Sequence, residues 1–246
     1  MTSKALAIPD QFKALGPVVE DEDSMFSQAE LQDSMGSKGF GPGDLERIKV
    51  PAGGSTNWEI YDEAQKALDI VIIAAQDVRA FYAKKYSGGN EPPDCLSLDC
   101  KFGVVGEDAP DEITGNCATC PKAQWGSAVN DDGEQTGGQA CNQRKMMMVY
   151  RPEDSFPFVL SIPPSSLKNL QKYFGRLVSG HDRPYWGVVT RLTLESQKSG
   201  GGIKYSSVVP EFLRELTDDE VVACKQLRER FVPALEARTP TGEDTE

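Results

Sequence analysis

Apolar and polar positions along the chain mark several strand-like runs separated by one extended polar segment. Leu68 to Ala75, apolar but for Asp69 and β-branched from Ile70 to Ile73, continues towards Val78, Arg79, Phe81 and Tyr82, the pattern of a buried strand. Lys145 to Arg151 and Phe156 to Ile162 are also strand-like, joined by the acidic turn Pro152-Glu153-Asp154-Ser155. Along Tyr185 to Glu195, Trp186, Val188, Leu192 and Leu194 point one way, and Tyr185, Val189, Arg191 and Thr193 the other. Ser196 to Gly202 predicts a hairpin connection into Ile203 to Val209, and Asp44 to Val50 predicts a first strand before a Pro-Ala-Gly-Gly-Ser turn. Residues 58–68 are ambiguous, because the propensity of Glu59 to Ala67 favours helix. Pro163-Pro164-Ser165-Ser166 opens a helix to about Val178, with Leu167, Leu170, Phe174 and Leu177 on one face. A last helix runs from Thr217 to about Ala237; Thr217 followed by Glu220 is the capping-box pattern.

Composition narrows the classes. A chain of 246 residues holds one large domain or two small ones. Its apolar runs fall short of the roughly 18 residues of a membrane span, and Met1 to Leu15 has no basic-then-apolar leader, so a cytoplasmic protein is expected. The single histidine, His181, excludes a two-histidine metal site and a histidine relay. Gly200-Gly201-Gly202 is explained by the hairpin, and Asp21/Asp23, Asp131/Asp132 and Asp218/Asp219 sit in solvated or helix-capping contexts. A binding protein, not an enzyme, is expected.

The net charge of −12 is unevenly spread. Residues 1–44 carry eight acids against three bases, and residues 211–246 carry ten against five. Residues 135–210 reverse the sign, with ten bases against four acids. Such a stretch is either a solvated surface or a polyanion-binding face for which the acidic ends compete.

Between Gly88 and Ala140 the chain is rich in Gly, Asp, Asn and Pro, too long for a structureless loop unless something pins it. Cysteines do the pinning in this reading. Cys117-Ala118-Thr119-Cys120 lets two thiolates face one ion; 21 residues separate Cys95 from Cys117, and 20 separate Cys120 from Cys141. Four thiolates make a closed, structural zinc site that replaces a hydrophobic core. Cys100 competes with Cys95 as the first ligand, and the Pro92-Pro93-Asp94 turn favours Cys95. Cys224 reads as a buried thiol of the last helix, and Trp125 as packed on the zinc knuckle or exposed for stacking.

The ordered series Pro93-Asp94-Cys95-Leu96-Ser97-Leu98-Asp99, Cys117-Ala118-Thr119-Cys120-Pro121, Gln124-Trp125-Gly126-Ser127, Ala140-Cys141 and Leu160-Ser161-Ile162-Pro163-Pro164-Ser165-Ser166-Leu167-Lys168 resembles a family of bacteriophage-encoded zinc-motif proteins over about 44–210. The chain is more loosely similar to phage single-stranded-DNA-binding proteins of the T-even type, in which a zinc-bearing segment interrupts an OB-like barrel. Those proteins place a histidine among the zinc ligands, where this chain offers four cysteines, and their acidic tail is longer. The resemblance implies an α+β, mainly antiparallel OB-like core over 45–216 with a zinc-binding insertion at about 88–142. Before it lies an acidic flexible region, 1–44; after it come a helix and short acidic tail, 217–246.

Single-strand binding needs cations for phosphates and flat aromatics for bases. The basic stretch offers Arg144, Lys145, Tyr150, Arg151, Lys168, Lys172, Tyr185, Arg191, Lys204 and Tyr205, with Arg79 extending the groove; Phe158, Phe174 and Trp186 are assigned to the core. The expected function is coating of single-stranded DNA in phage replication or recombination, with host or phage proteins of replication or transcription engaged through the acidic ends. The alternative is a zinc-containing adaptor or transcription regulator, favoured by the acidity of residues 86–134, which hold ten acids against two bases.

Overall fold

The computed structural model describes residues 45–84, 93–130, 132–151, 154, 156–200 and 202–236. The expected flexible region 1–44 and the tail from Thr239 lie outside the described residues. In chain order the strands are β1 (Arg47–Ile48), β2 (Trp58–Ile60), β3 (Glu63–Gln65), β4 (Ala67–Phe81), β5 (Cys95–Ser97), β6 (Val104–Val105), β7 (Asn142–Tyr150) and β8 (Phe158–Ile162). Helix α1 (Pro164–His181), β9 (Val188–Lys198), β10 (Lys204–Glu215) and α2 (Asp218–Glu236) follow.

Fifteen-residue β4 organises the sheet. On one edge it pairs with β7 from Val71 to Ala80, and the register slips between Ile72 and Ala74, a bulge that bends the strand. Its first residues, Ala67 to Ile70, pair with β9, and its last, Arg79 to Phe81, pair with β5. The path β1-β8-β7-β4-β5-β6, with β9 and β10 branching from β4, curls into a half-barrel. Pairings are antiparallel except β1 with β8. The result is a mixed, mostly β structure with a C-terminal helix, compatible with an OB-like α+β fold.

Both faces of this sheet are covered, which is why its central strands read as continuous apolar runs. On one face Ile70, Ile72, Met147, Leu160 and Ile162 pack under Leu170, Tyr173 and Leu177 of α1. On the other, Ile73, Met146 and Met148 meet Phe231 of α2, and Val71 and Val189 meet Ala223 and Cys224. Polar contacts fix α1: the Tyr173 and Thr190 hydroxyls lie 2.7 Å apart, and Ser166 Oγ accepts the Val208 N–H at 2.9 Å. Among the described residues no helix is long and apolar enough to cross a membrane.

Residues 58–65 form a β-hairpin and not a helix. Tyr61 and Asp62, with φ of 51° and 63°, supply the two left-handed positions of its tight turn. Tertiary contacts override the helical propensity of Glu59 to Ala67: Trp58 is fully buried and its indole N–H donates to the Leu192 carbonyl at 3.1 Å. The expected strand from Tyr185 begins instead at Val188, because Tyr185–Gly187 is a 3-10 turn.

The expected capping box at the last helix is present. Glu220 accepts the Thr217 N–H at 2.7 Å, and Thr217 Oγ1 accepts the Glu220 N–H at 3.3 Å. Arg214 adds two bonds of 2.7 Å to the same carboxylate, which is 3% exposed. Burial alone would raise the Glu220 pKa, but the Arg214 fork and the Thr217 N–H outweigh it and hold the carboxyl below its ordinary value. A depressed carboxyl pKa contributes stability above the unfolded value of about 4.3, lost as pH falls through the folded value. Thermal melts are expected to show that loss below about pH 4. Glu220→Ala is expected to cost about 2–3 kcal/mol at neutral pH and to flatten the acid-induced loss. Equal melting temperatures for the two proteins at neutral pH would remove the fork as a stabilising contact.

Candidate metal centre and nucleic-acid interface

The last turns of β4 position the cysteine cluster. Cys95 is paired across from Phe81, and Asn142, next to Cys141, is paired across from Ala80, so Cys95 and Cys141 flank the end of β4. The intervening chain folds back through Gly103 N–H to Gly115 O (2.6 Å) and Cys117 N–H to Lys101 O (2.9 Å). A 3-10 turn at Pro121–Ala123 then carries the chain past Cys120. The Cys141 N–H donates to Lys122 O at 2.8 Å and closes the loop.

These contacts bring Cys95, Cys117, Cys120 and Cys141 around one cavity, lined otherwise by Phe81, Ile113, Gly115 and Ala123. Its volume is about 10 Å³, the room of a single water-sized sphere. Sulfur is the only side-chain donor element in the lining, a soft set suited to zinc. Among the described residues no three His, Cys, Asp or Glu side chains stand arranged to hold a metal ion as they are. Burial pushes the Cys141 thiol up to about 12; Arg79 opposes this and the other three thiols add to it. Burial, then the neighbouring Cys117 and Cys120, also raises Cys95.

Cys100 does not line the cavity. It sits at φ 58°, where burial raises its thiol to about 11 against the pull of Arg79, which hydrogen-bonds it. Arg79 also donates to Cys141 O at 2.9 Å and Gln143 Oε1 at 3.3 Å. Arg79 therefore braces the cysteine segment from β4. Of the two settings expected for Trp125, packed on the knuckle or exposed, it takes the exposed one at 79%, and Cys224 is buried with its thiol on the Trp186 carbonyl.

The basic stretch is divided between interior and surface. Arg191 forms a fork of 2.6 Å bonds with its cross-strand neighbour Asp69. Lys145 pairs with Asp77 at 2.8 Å, and Arg151, 6% exposed, pairs with Asp154 at 3.3 Å. Arg144 is half-buried on β7, and Tyr150 packs between the two α2-side clusters. Tyr185 stacks on Phe174, with centroids 5.0 Å apart. Tyr205 is half-buried on β10. Lys168, Lys172 and Lys204 are exposed.

Two exposed cations extend this set beyond the residues singled out from sequence. Arg176 follows Lys168 and Lys172 at four-residue spacing on α1, a helix that contains no acid. Lys198 is paired across from Lys204 near the end of the β9–β10 hairpin. The four-residue spacing was the available signal for Arg176; the Lys198 pairing depends on hairpin register. No family model, curated protein or solved structure matches the chain.

Two outcomes follow for the cysteine cluster. A thiol reagent at mildly alkaline pH, applied to metal-free native protein, is expected to label half-buried Cys117 before Cys95, Cys141 and Cys224, which are buried. Peptide mapping that finds Cys141 modified first would contradict this packing. A Cβ at Gly103 would lie 2.6 Å from Cys95 Sγ, so Gly103→Ala is expected to speed Cys95 labelling.

Proposed function

We propose that the chain is a phage-type single-stranded-DNA-binding protein, acting without catalysis in replication or recombination, built on an OB-like core with a zinc-stabilised insertion. The observation that carries the reading is α1. In a chain of net charge −12, this helix has no acid and presents Lys168, Lys172 and Arg176 at four-residue spacing on its exposed side. No ion pair engages the three among the described residues. Such a stripe attracts phosphates, and the paired Lys198 and Lys204 offer a second cationic point.

Zinc would be held by Cys95, Cys117, Cys120 and Cys141, and when bound would cross-link a segment whose own apolar cluster is small. The adaptor reading keeps one observation in its favour. Phe102, Val104, Trp125 and Val129 of the acidic cysteine segment are all more than 60% exposed, a surface suited to protein more than to nucleic acid.

Titration of a labelled oligonucleotide at several salt concentrations tests the main reading. Affinity is expected to fall by about 0.7 log units per log unit of salt for each phosphate neutralised. Replacing Lys168, Lys172 and Arg176 together by alanine is expected to lower that slope by about 2. A flat titration at low salt with zinc-replete protein would favour the adaptor. Elemental analysis is expected to give one zinc per chain, lost in Cys95→Ser and Cys117→Ser and kept in Cys100→Ser and Cys224→Ser. Protein purified without chelator that holds no metal near one equivalent would refute the zinc assignment.

A further inference from the structure

The second edge of β4 has a gap. β7 occupies the first edge from Val71 to Ala80, so β5, which pairs at Arg79 to Phe81, must lie on the second. The Tyr185–Gly187 turn leading into β9 also lies against β4, and β9 pairs only from Ala67 to Ile70. Between these partners β4 has no strand on that edge, and a groove of about 400 Å³ opens there. Ala74 to Asp77 form its floor, with Tyr185 and Arg228 on one side and Leu98 and Asp99 on the other. The volume is in the range of small-ligand sites, roughly 300–1,000 Å³.

The groove is rich in acceptors. Gln76 Nε2 donates to Leu98 O at 2.5 Å, while Gln76 Oε1 is buried without a hydrogen-bond partner. An orphaned buried acceptor of this kind calls for a donor. Asp77 uses Oδ1 for Lys145, and Asp99 uses Oδ1 for Ser97 Oγ and the Lys101 and Phe102 N–H groups. Both aspartates line the groove, Asp77 from the face of β4 opposite Gln76. Two carboxylates repel a phosphate. A four-residue floor, about 13 Å long, is short for an added peptide strand. The Tyr185 ring, held between Phe174 of α1 and the Arg228 guanidinium 5.9 Å from its centroid, lines the groove with both faces already in contact. Phe174 belongs to the helix that carries the cationic stripe, on the inward side opposite Lys172 and Arg176.

We propose that this groove seats one amino-bearing nucleobase, cytosine, adenine or guanine, of a bound single strand, with the exocyclic amino group donating to Gln76 Oε1. The inference rests on the single-strand reading above. Thymine offers no amino group and fits the acceptors less well.

The test compares oligo(dC) and oligo(dT) of equal length, at low salt, on the zinc-replete full chain. Oligo(dC) is expected to bind about three- to tenfold tighter, the worth of one hydrogen bond to an otherwise unpaired acceptor. An oligonucleotide carrying 2-pyrimidinone, cytosine without its amino group, is expected to lose that advantage; this arm alters the ligand and leaves the protein intact. Gln76→Leu is expected to bring the oligo(dC)-to-oligo(dT) ratio to about 1. Equal affinities for the two strands, or a ratio that survives removal of the amino group, would overturn the groove while leaving single-strand binding standing. Absence of binding to any oligonucleotide would overturn both.

Discussion

Everything in this structure depends on β4 being buried on both faces and shared along both edges. A fifteen-residue strand with Leu68 and Ile70 to Ala74 withdrawn from water cannot be an outer strand. Its burial requires a helix on each side, and α1 and α2 supply them. Its length exceeds what one partner covers, so β9, β7 and β5 divide it between them. The bulge near Ile73 turns the strand between these pairings, and the sheet curls as a consequence.

The candidate sites follow from that division. Where β4 ends, β5 and β7 bring Cys95 and Cys141 to its two sides, and the chain between them folds into a cysteine-lined lobe. Where β9 stops and β5 has not begun, the edge is open and a polar groove forms. Helix α1 is held inward by Leu170, Tyr173 and Leu177, which leaves its cations in solvent. Partly buried charges elsewhere are matched across the sheet, as Asp69 is to Arg191, and these hold strands in register.

Much of this was legible in the chain. Continuous β-branched residues announced β4, the glycine-rich Ser196 to Gly202 announced the hairpin, and the Thr217–Glu220 spacing announced the start of α2. Cysteine spacing grouped Cys95, Cys117, Cys120 and Cys141 as zinc ligands, and the four line one cavity. What stayed illegible depended on long-range contacts. Propensity over Glu59 to Ala67 gave no sign that Trp58 would be pinned by the Leu192 carbonyl and force a hairpin. Charge counting could not separate Arg151 and Arg191, which have buried or cross-strand carboxylates, from Lys168 and Lys172, which face solvent. Arg79 looked like a groove cation because its partners, Cys141 O and Gln143 Oε1, lie more than sixty residues away.

The central claim is that a strand of DNA runs over the cationic side of α1, supported on the doubly covered sheet. Amide hydrogen exchange of the zinc-replete protein, with and without a saturating single-stranded oligonucleotide, tests this directly. The account predicts new protection in α1 around Lys168 to Arg176 and at the β9–β10 hairpin near Lys198 and Lys204, with the Trp125 region unchanged. Protection confined to the acidic cysteine segment, or no protection anywhere at low salt, would contradict it.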